Sequence, residues 1–106
     1  MNAGRLRHRV TVEQPVVSSD GYGGNTVSWA IFATVWAAVE PLSGREYFQA
    51  QQAQATVTHK VAMRYIPGVT PRMRIKHGSR YLNIISAIDT DERHRELVLM
   101  CEEVIQ

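Results

Sequence analysis

The side chains of this chain with the most reactive chemistry are four histidines, one cysteine and a few clustered carboxylates. His8, His59, His77 and His94 are scattered, with no paired-histidine or paired-cysteine spacing of the kind zinc requires. His8 and His59 fall on apolar faces of strand-like segments and read as core or edge residues. Cys101 ends the apolar run Leu97-Val98-Leu99-Met100-Cys101, where a thiol is buried and inert rather than nucleophilic. Asp89, Asp91 and Glu92 share one charged turn; solvated carboxylates are the simpler reading, a cation site the alternative. Gly21-Tyr22-Gly23-Gly24 matches neither phosphate-binding spacing and is followed by no helix pattern, so it reads as a turn. Trp29, Trp36, Tyr22, Tyr65 and Tyr81 are of the type that stacks on nucleic-acid bases, but packing in a core or between subunits accounts better for the tryptophans. These residues give no support for an enzyme, a metal or a cofactor.

The elements that must position these groups are strands. Leu6, His8, Val10 and Val12 alternate with Arg5, Arg7, Arg9, Thr11 and Glu13, the period of a half-buried strand, which Pro15 is expected to end. Ser18 to Asn25 is a loop rich in residues that accept positive φ. Thr26 to Phe32 and Thr34 to Leu42 read as two strands or one bent strand. Val57 to Tyr65 alternates most cleanly. Met73 to His77 and Arg80 to Ile88 form a hairpin about Gly78-Ser79. Glu96 to Val104 is the last strand, and its apolar run predicts burial on both faces. About six short strands at close spacing predict a mainly β fold, an antiparallel barrel or sandwich. The expected core is Leu6, Val10, Val12, Val35, Val57, Val61, Met63, Ile75, Ile84, Leu97 and Leu99.

With 106 residues and 44% hydrophobic side chains, one domain spanning 1–106 is expected. A single cysteine leaves no internal disulfide and favours intracellular synthesis. The polar start Met1 to Arg7 lacks the apolar stretch of a signal peptide, and no apolar run has the length of a membrane span. Net charge is +2, but it is unevenly spread. No acidic residue occurs from Tyr47 to Ile88, which contains Lys60, Arg64, Arg72, Arg74, Lys76 and Arg80. The C-terminal part carries Asp89, Asp91, Glu92, Glu96, Glu102 and Glu103. The polarity fits either solvated strand faces or a subunit whose basic part meets DNA or the acidic part of a second copy.

The segment from Ser43 to Ala55 breaks the strand pattern. Ser43-Gly44-Arg45-Glu46 has the form of a capping box, and the alanines and glutamines that follow favour helix. A helix of about three turns with so thin an apolar stripe is marginal on its own. A short helix or flexible loop inserted near 43–55 is therefore expected, stabilised by whatever it packs on.

Several pieces, in order, carry a resemblance. They are Gly4-Arg5-Leu6-Arg7-His8-Arg9-Val10, Asp20-Gly21-Tyr22-Gly23-Gly24, Ala33-Thr34-Val35-Trp36-Ala37-Ala38-Val39-Glu40-Pro41-Leu42-Ser43-Gly44-Arg45-Glu46, Val57-Thr58-His59-Lys60-Val61 and Asp91-Glu92-Arg93. Together the chain resembles the head-tail joining, or head-closure, family of long-tailed bacteriophages and their prophages. The resemblance implies a β-barrel with a long segment between its second and third main strands. It implies a structural virion protein, made in the host cytoplasm, that forms a dodecameric ring below the portal and adaptor, retains packaged DNA and offers a docking surface to the tail. Implied partners are the portal, the adaptor, a tail completion protein and, nonspecifically, double-stranded DNA; no membrane is involved. The segment carrying Ser43, Gly44, Arg45, Glu46, Tyr47, Phe48, Gln49, Gln51 and Gln52 would be the channel gate, or else an ordinary lid on the barrel. Because that segment is nearly neutral, DNA or subunit contact by charge falls to Arg5, Arg7, Arg9, Lys60, Arg64, Arg72, Arg74 and Lys76. Glu102 and Glu103 are the expected subunit contacts on the acidic side. A small oligonucleotide-binding barrel and a tail completion protein are the rival readings.

Overall fold

The computed structural model describes residues 6–45, 48–49, 57–89 and 92–104. They form six strands: β1 (His8–Ser19), β2 (Asn25–Pro41), β3 (His59–Arg64), β4 (Arg74–His77), β5 (Arg80–Asp89) and β6 (Glu96–Val104). All pairings are antiparallel, and the order β1-β2-β3-β6-β5-β4 closes into a barrel. Closure rests on a short ladder, Thr11↔Lys76, Val12↔Ile75 and Glu13↔Arg74. Side chains alternate in and out along each strand. Val10, Val12, Ala37, Val61, Met63, Ile75, Leu82, Ile84, Leu97, Leu99 and Cys101 point inward and are buried in one cluster, joined by Met73 from the turn before β4. No polar side chain is buried among the described residues, so the core is held by apolar contact alone.

Most of the expected core is in place, including Val57. Leu6 and Val35 are only half-buried, because both sit where the barrel wall opens. The run Leu97 to Cys101 is not buried on both faces: Val98 and Met100 are half-buried between buried neighbours. One barrel wall has a single inside, so a continuous apolar run here still obeys a period of two.

Pro15 does not end β1, which runs on to Ser19. A proline has no N–H to give a ladder, but beyond Glu13 β1 pairs only with β2, so one of its edges needs no donor. The two expected segments from Thr26 to Leu42 are one strand, bent where its register with β1 shifts between Val12 and Glu13 and Phe32 becomes the extra residue. That bulge lets β1 and β2 leave the barrel together as a two-stranded arm. At about 3.3 Å per residue, its seven or so residues per strand reach about 20 Å. The molecule is accordingly 48 Å long and 30 × 28 Å across. The glycine loop turns the arm: Gly21 and Gly23 have φ of +83° and +85°, and the Asp20 carboxylate accepts from Tyr22 N–H (2.7 Å) and Gly24 N–H (3.0 Å).

Candidate functional site

At the end of the barrel where β2 finishes and β3 begins, the inward positions turn from apolar to polar. His8 on β1, His59 on β3, His77 on β4, Arg80 on β5 and Glu103 on β6 lie on the inward alternation, each beyond the last buried residue of its strand. Short strands run out of core at their ends, so these side chains meet one another and solvent. Arg80 Nη2 donates to Glu103 Oε2 at 2.7 Å, with Nε at 3.2 Å, and to His59 Nε2 at 3.1 Å. For Nε2 to accept, the neutral His59 ring carries its proton on Nδ1, which faces Thr58 Oγ1 at 2.9 Å. Thr58 Oγ1 also accepts the Glu103 N–H at 2.8 Å. His8 stands edge-on to His77, ring centroids 4.8 Å apart, and the buried Nδ1 of His77 has no protein partner.

This polar rim is electrostatically biased. Burial first, then Arg80, lowers the pKa of His59. Burial, His8 and Arg80 do the same to His77. The hydrogen bond from Arg80 holds Glu103 below the usual carboxylate range. These shifts favour neutral histidines and an ionised Glu103, which for His59 and Glu103 agrees with their hydrogen bonds to Arg80.

The inserted segment is fastened to the same rim. Leu42 N–H donates to Thr58 C=O (3.1 Å) and Thr58 N–H to Cys101 C=O (2.9 Å), which pins departing and returning chain side by side. Ser43, Gly44, Arg45, Phe48 and Gln49 are exposed, and Gly44, Arg45, Phe48 and Gln49 are helical. Helix thus begins directly after Ser43, the position read as its cap. Glu46, Tyr47, Gln51, Gln52 and the rest of 50–56 lie outside the described residues.

The described basic residues named from sequence are spread over β1 and the residue before it, β3, β4 and the turn before β4. Arg7 and Arg9 are exposed, and the Arg9 guanidinium lies 5.6 Å from the Trp36 ring centroid. Lys76 and Arg72 are exposed near the barrel closure, Lys60 is half-buried beside Glu40 in the β2–β3 ladder, and Arg64 is exposed at the end of β3. Arg5 lies outside the described residues. Arg74 is already engaged: its Nε donates to Glu13 Oε1 at 2.8 Å, and its guanidinium lies 4.1 Å from the ring centroids of both Trp29 and Tyr81. That sandwich fastens the foot of the arm to the barrel. Glu103 is likewise engaged by Arg80 within the chain, and Glu102 is half-buried.

The tryptophans are not core residues. Trp29 is half-buried against Arg74, and Trp36 is exposed on the outer wall. Cys101 is in the core, and burial pushes its thiol up to about 12. The Asp89 carboxylate accepts from His94 N–H (2.9 Å) and lies 2.7 Å from His94 Nδ1, so it orders its own turn; Asp91 lies outside the described residues. Among the described residues no group of three or more His, Cys, Asp or Glu side chains is placed to hold a metal ion, and no helix is long and apolar enough to cross a membrane.

Sequence reading missed the rim cluster and the clamp at Arg74. The rim was signalled: the inward alternation of every strand but β2 ends in His, Arg or Glu. The clamp was not, because Glu13 and Arg74 meet only through barrel closure.

Comparison with known proteins agrees with this architecture. The head completion protein gp16 of Bacillus phage SPP1 is 30% identical over 76 residues, covering 72% of this chain and 70% of that protein. The solution structure of protein SF1141 from Shigella flexneri 2a superposes with a TM-score of 0.81 at 29% identity, covering 100% of this chain and 99% of that one. A chain in the virion of a native gene transfer agent particle shares the fold, with a TM-score of 0.66 at 24% identity over 96% of this chain and 98% of its own. Residues 1–104 match the phage head completion protein family, and the chain belongs to that family.

Proposed function

We propose that this phage head completion protein closes DNA-filled heads as one subunit of a dodecameric ring below the portal and adaptor. In this reading segment 43–55 acts as the gate across the channel, and the ring presents the tail, through its completion protein, with a docking surface. The observation that carries the reading is the way the segment is attached. β2 pairs with β3 directly, from Ala37↔Met63 to Pro41↔His59, so the barrel is complete without it. The residues that flank it, Leu42 and Thr58, are hydrogen-bonded to each other and, through Thr58 N–H, to Cys101 on β6, while its described residues lie outside the core. An element so attached can change conformation without unfolding its support, which is what a gate needs. The job is steric; no bond is made or broken.

Deleting 49–54, or replacing it with a glycine-serine linker, tests this. The variant keeps the strand circular dichroism of the parent, and heads carrying it fill with DNA but lose it to nuclease. Full retention of DNA with tails joined would leave the segment a lid and move closure to the barrel or a partner. Loss of the strand signal would place the segment in the folding core.

A further inference from the structure

The arm formed by the outer halves of β1 and β2 has one apolar face turned to solvent. Residues directly opposite in an antiparallel pair share a face, which puts Glu13 with Ile31, Pro15 with Trp29 and Val17 with Val27. Val17 is 62%, Val27 56% and Ile31 70% exposed. The opposite face carries Gln14, Ser18, Thr26, Ser28 and Ala30 around Val16. At the tip, the Asp20 turn holds Tyr22 95% exposed. Such a face, fixed at its foot by the Arg74 sandwich and with no ladder partner on either outer edge among the described residues, is a surface built to be covered.

The same molecule carries a matching recess. β2 and β3 part company after Ala37↔Met63, and an apolar groove of about 590 Å³ opens there, lined by Leu6, Val35, Trp36, Arg64 and Ile66. Charge agrees as well as polarity. From Gln14 to Phe32 the arm's one charged residue is Asp20, whereas the groove is bordered by Arg64 and by Arg9 over Trp36. An arm cannot enter its own groove, because β2 forms both.

We propose that the apolar face of the arm of one copy lies in the β2–β3 groove of a second copy. The contact is heterologous, so each copy gives an arm to one neighbour and a groove to another, and copies join head to tail. Two strands about 20 Å long present on the order of 200 Å² per face, well below the roughly 800 Å² per partner of a stable complex. Free subunits therefore associate weakly, and a chemical trap is the suitable probe. The contact would join the subunits of the proposed ring, but it is tested in free protein, so it stands or falls apart from head closure.

The experiment mixes chains that each carry one introduced cysteine beside the buried, inert Cys101, under mild oxidation. Val27→Cys with Ile66→Cys, or with Trp36→Cys in case position 66 disturbs the fold, is expected to give a disulfide-linked heterodimer. The yield should be several-fold above that of Ser28→Cys with the same partners, since position 28 is on the arm's other face. Adding Val17→Lys to the Val27→Cys chain should bring the yield down to the Ser28→Cys level, because an ammonium group would enter an apolar groove bordered by Arg9 and Arg64. Circular dichroism confirms that each variant is folded. Heterodimer no more abundant than with Ser28→Cys, or Val27–Val27 homodimer as the main product, overturns the proposal.

Discussion

Removing the Arg74 guanidinium should both destabilise the barrel and loosen the arm, and the size of the effect can be worked out. Arg74 Nε donates to Glu13 at 2.8 Å, with the two side chains only 16% and 13% exposed. A hydrogen bond involving charged groups contributes about 1.5–3 kcal/mol net. Each ring contact at 4.1 Å adds about 0.5–1 kcal/mol. These contributions share one side chain and are not additive, and partial exposure weakens the ion pair, so Arg74→Ala should cost about 3 kcal/mol. In a domain of this size each kcal/mol lowers Tm by about 4–8 °C, which puts the loss near 15 °C. Arg74→Lys keeps the charge but not the plane that stacks on the two rings, and should cost about a third as much. In a Trp36→Phe background the remaining Trp29 reports on the arm, and its emission should shift to the red in Arg74→Ala. A double-mutant cycle with Glu13→Gln should return a coupling of about 1 kcal/mol or more. A Tm within about 3 °C of the parent, with Trp29 emission unmoved, would refute the sandwich as the fastening of the arm.

Leu99→Ala, at a fully buried centre of the core, should cost about 3–5 kcal/mol in urea unfolding, with the m-value retained. Gly68→Ala should cost about 1–3 kcal/mol, because φ is +91° and a Cβ would stand 3.1 Å from Phe32 Cζ; a neutral result would mean that the turn can relax. Stability should fall as pH drops through the acid range. His59 and His77 have folded pKa values below their ordinary one, so the unfolded chain binds protons first from about pH 6.5 downward. Glu103, also lowered, contributes stability above its ordinary pKa that is lost as pH falls through the folded value. The His59→Gln variant should show a shallower decline in Tm between neutral and mildly acidic pH. An unchanged slope would remove His59 from the account.

The strands were legible because alternation of apolar and polar residues is a local property. Val57 to Tyr65 and Glu96 to Val104 declare their inward faces without reference to any partner. The family, too, was legible, through the ordered set of short pieces around Trp36 to Glu46. What escaped was set by pairing across the sequence. Pro15 ends a strand only if both its edges are needed, and β2 alone covers one of them. The bulge at Phe32, and the arm it releases, follow from how twelve residues of β1 fit seventeen of β2. Glu13 and Arg74 looked like ordinary solvated charges until barrel closure set them together. The insert was recognisable as a departure from strand by its capping pattern and its glutamines and alanines, but what it does depends on neighbours that a single chain does not contain.

Head closure is tested most directly by omission and return. Filled heads are prepared from the encoding phage or prophage with this gene silenced, then incubated with purified protein and scored for nuclease-resistant DNA and for joining to purified tails. The account predicts that untreated heads lose their DNA and bind no tails, and that added protein restores both. Heads that keep their DNA and accept tails without this protein would contradict it.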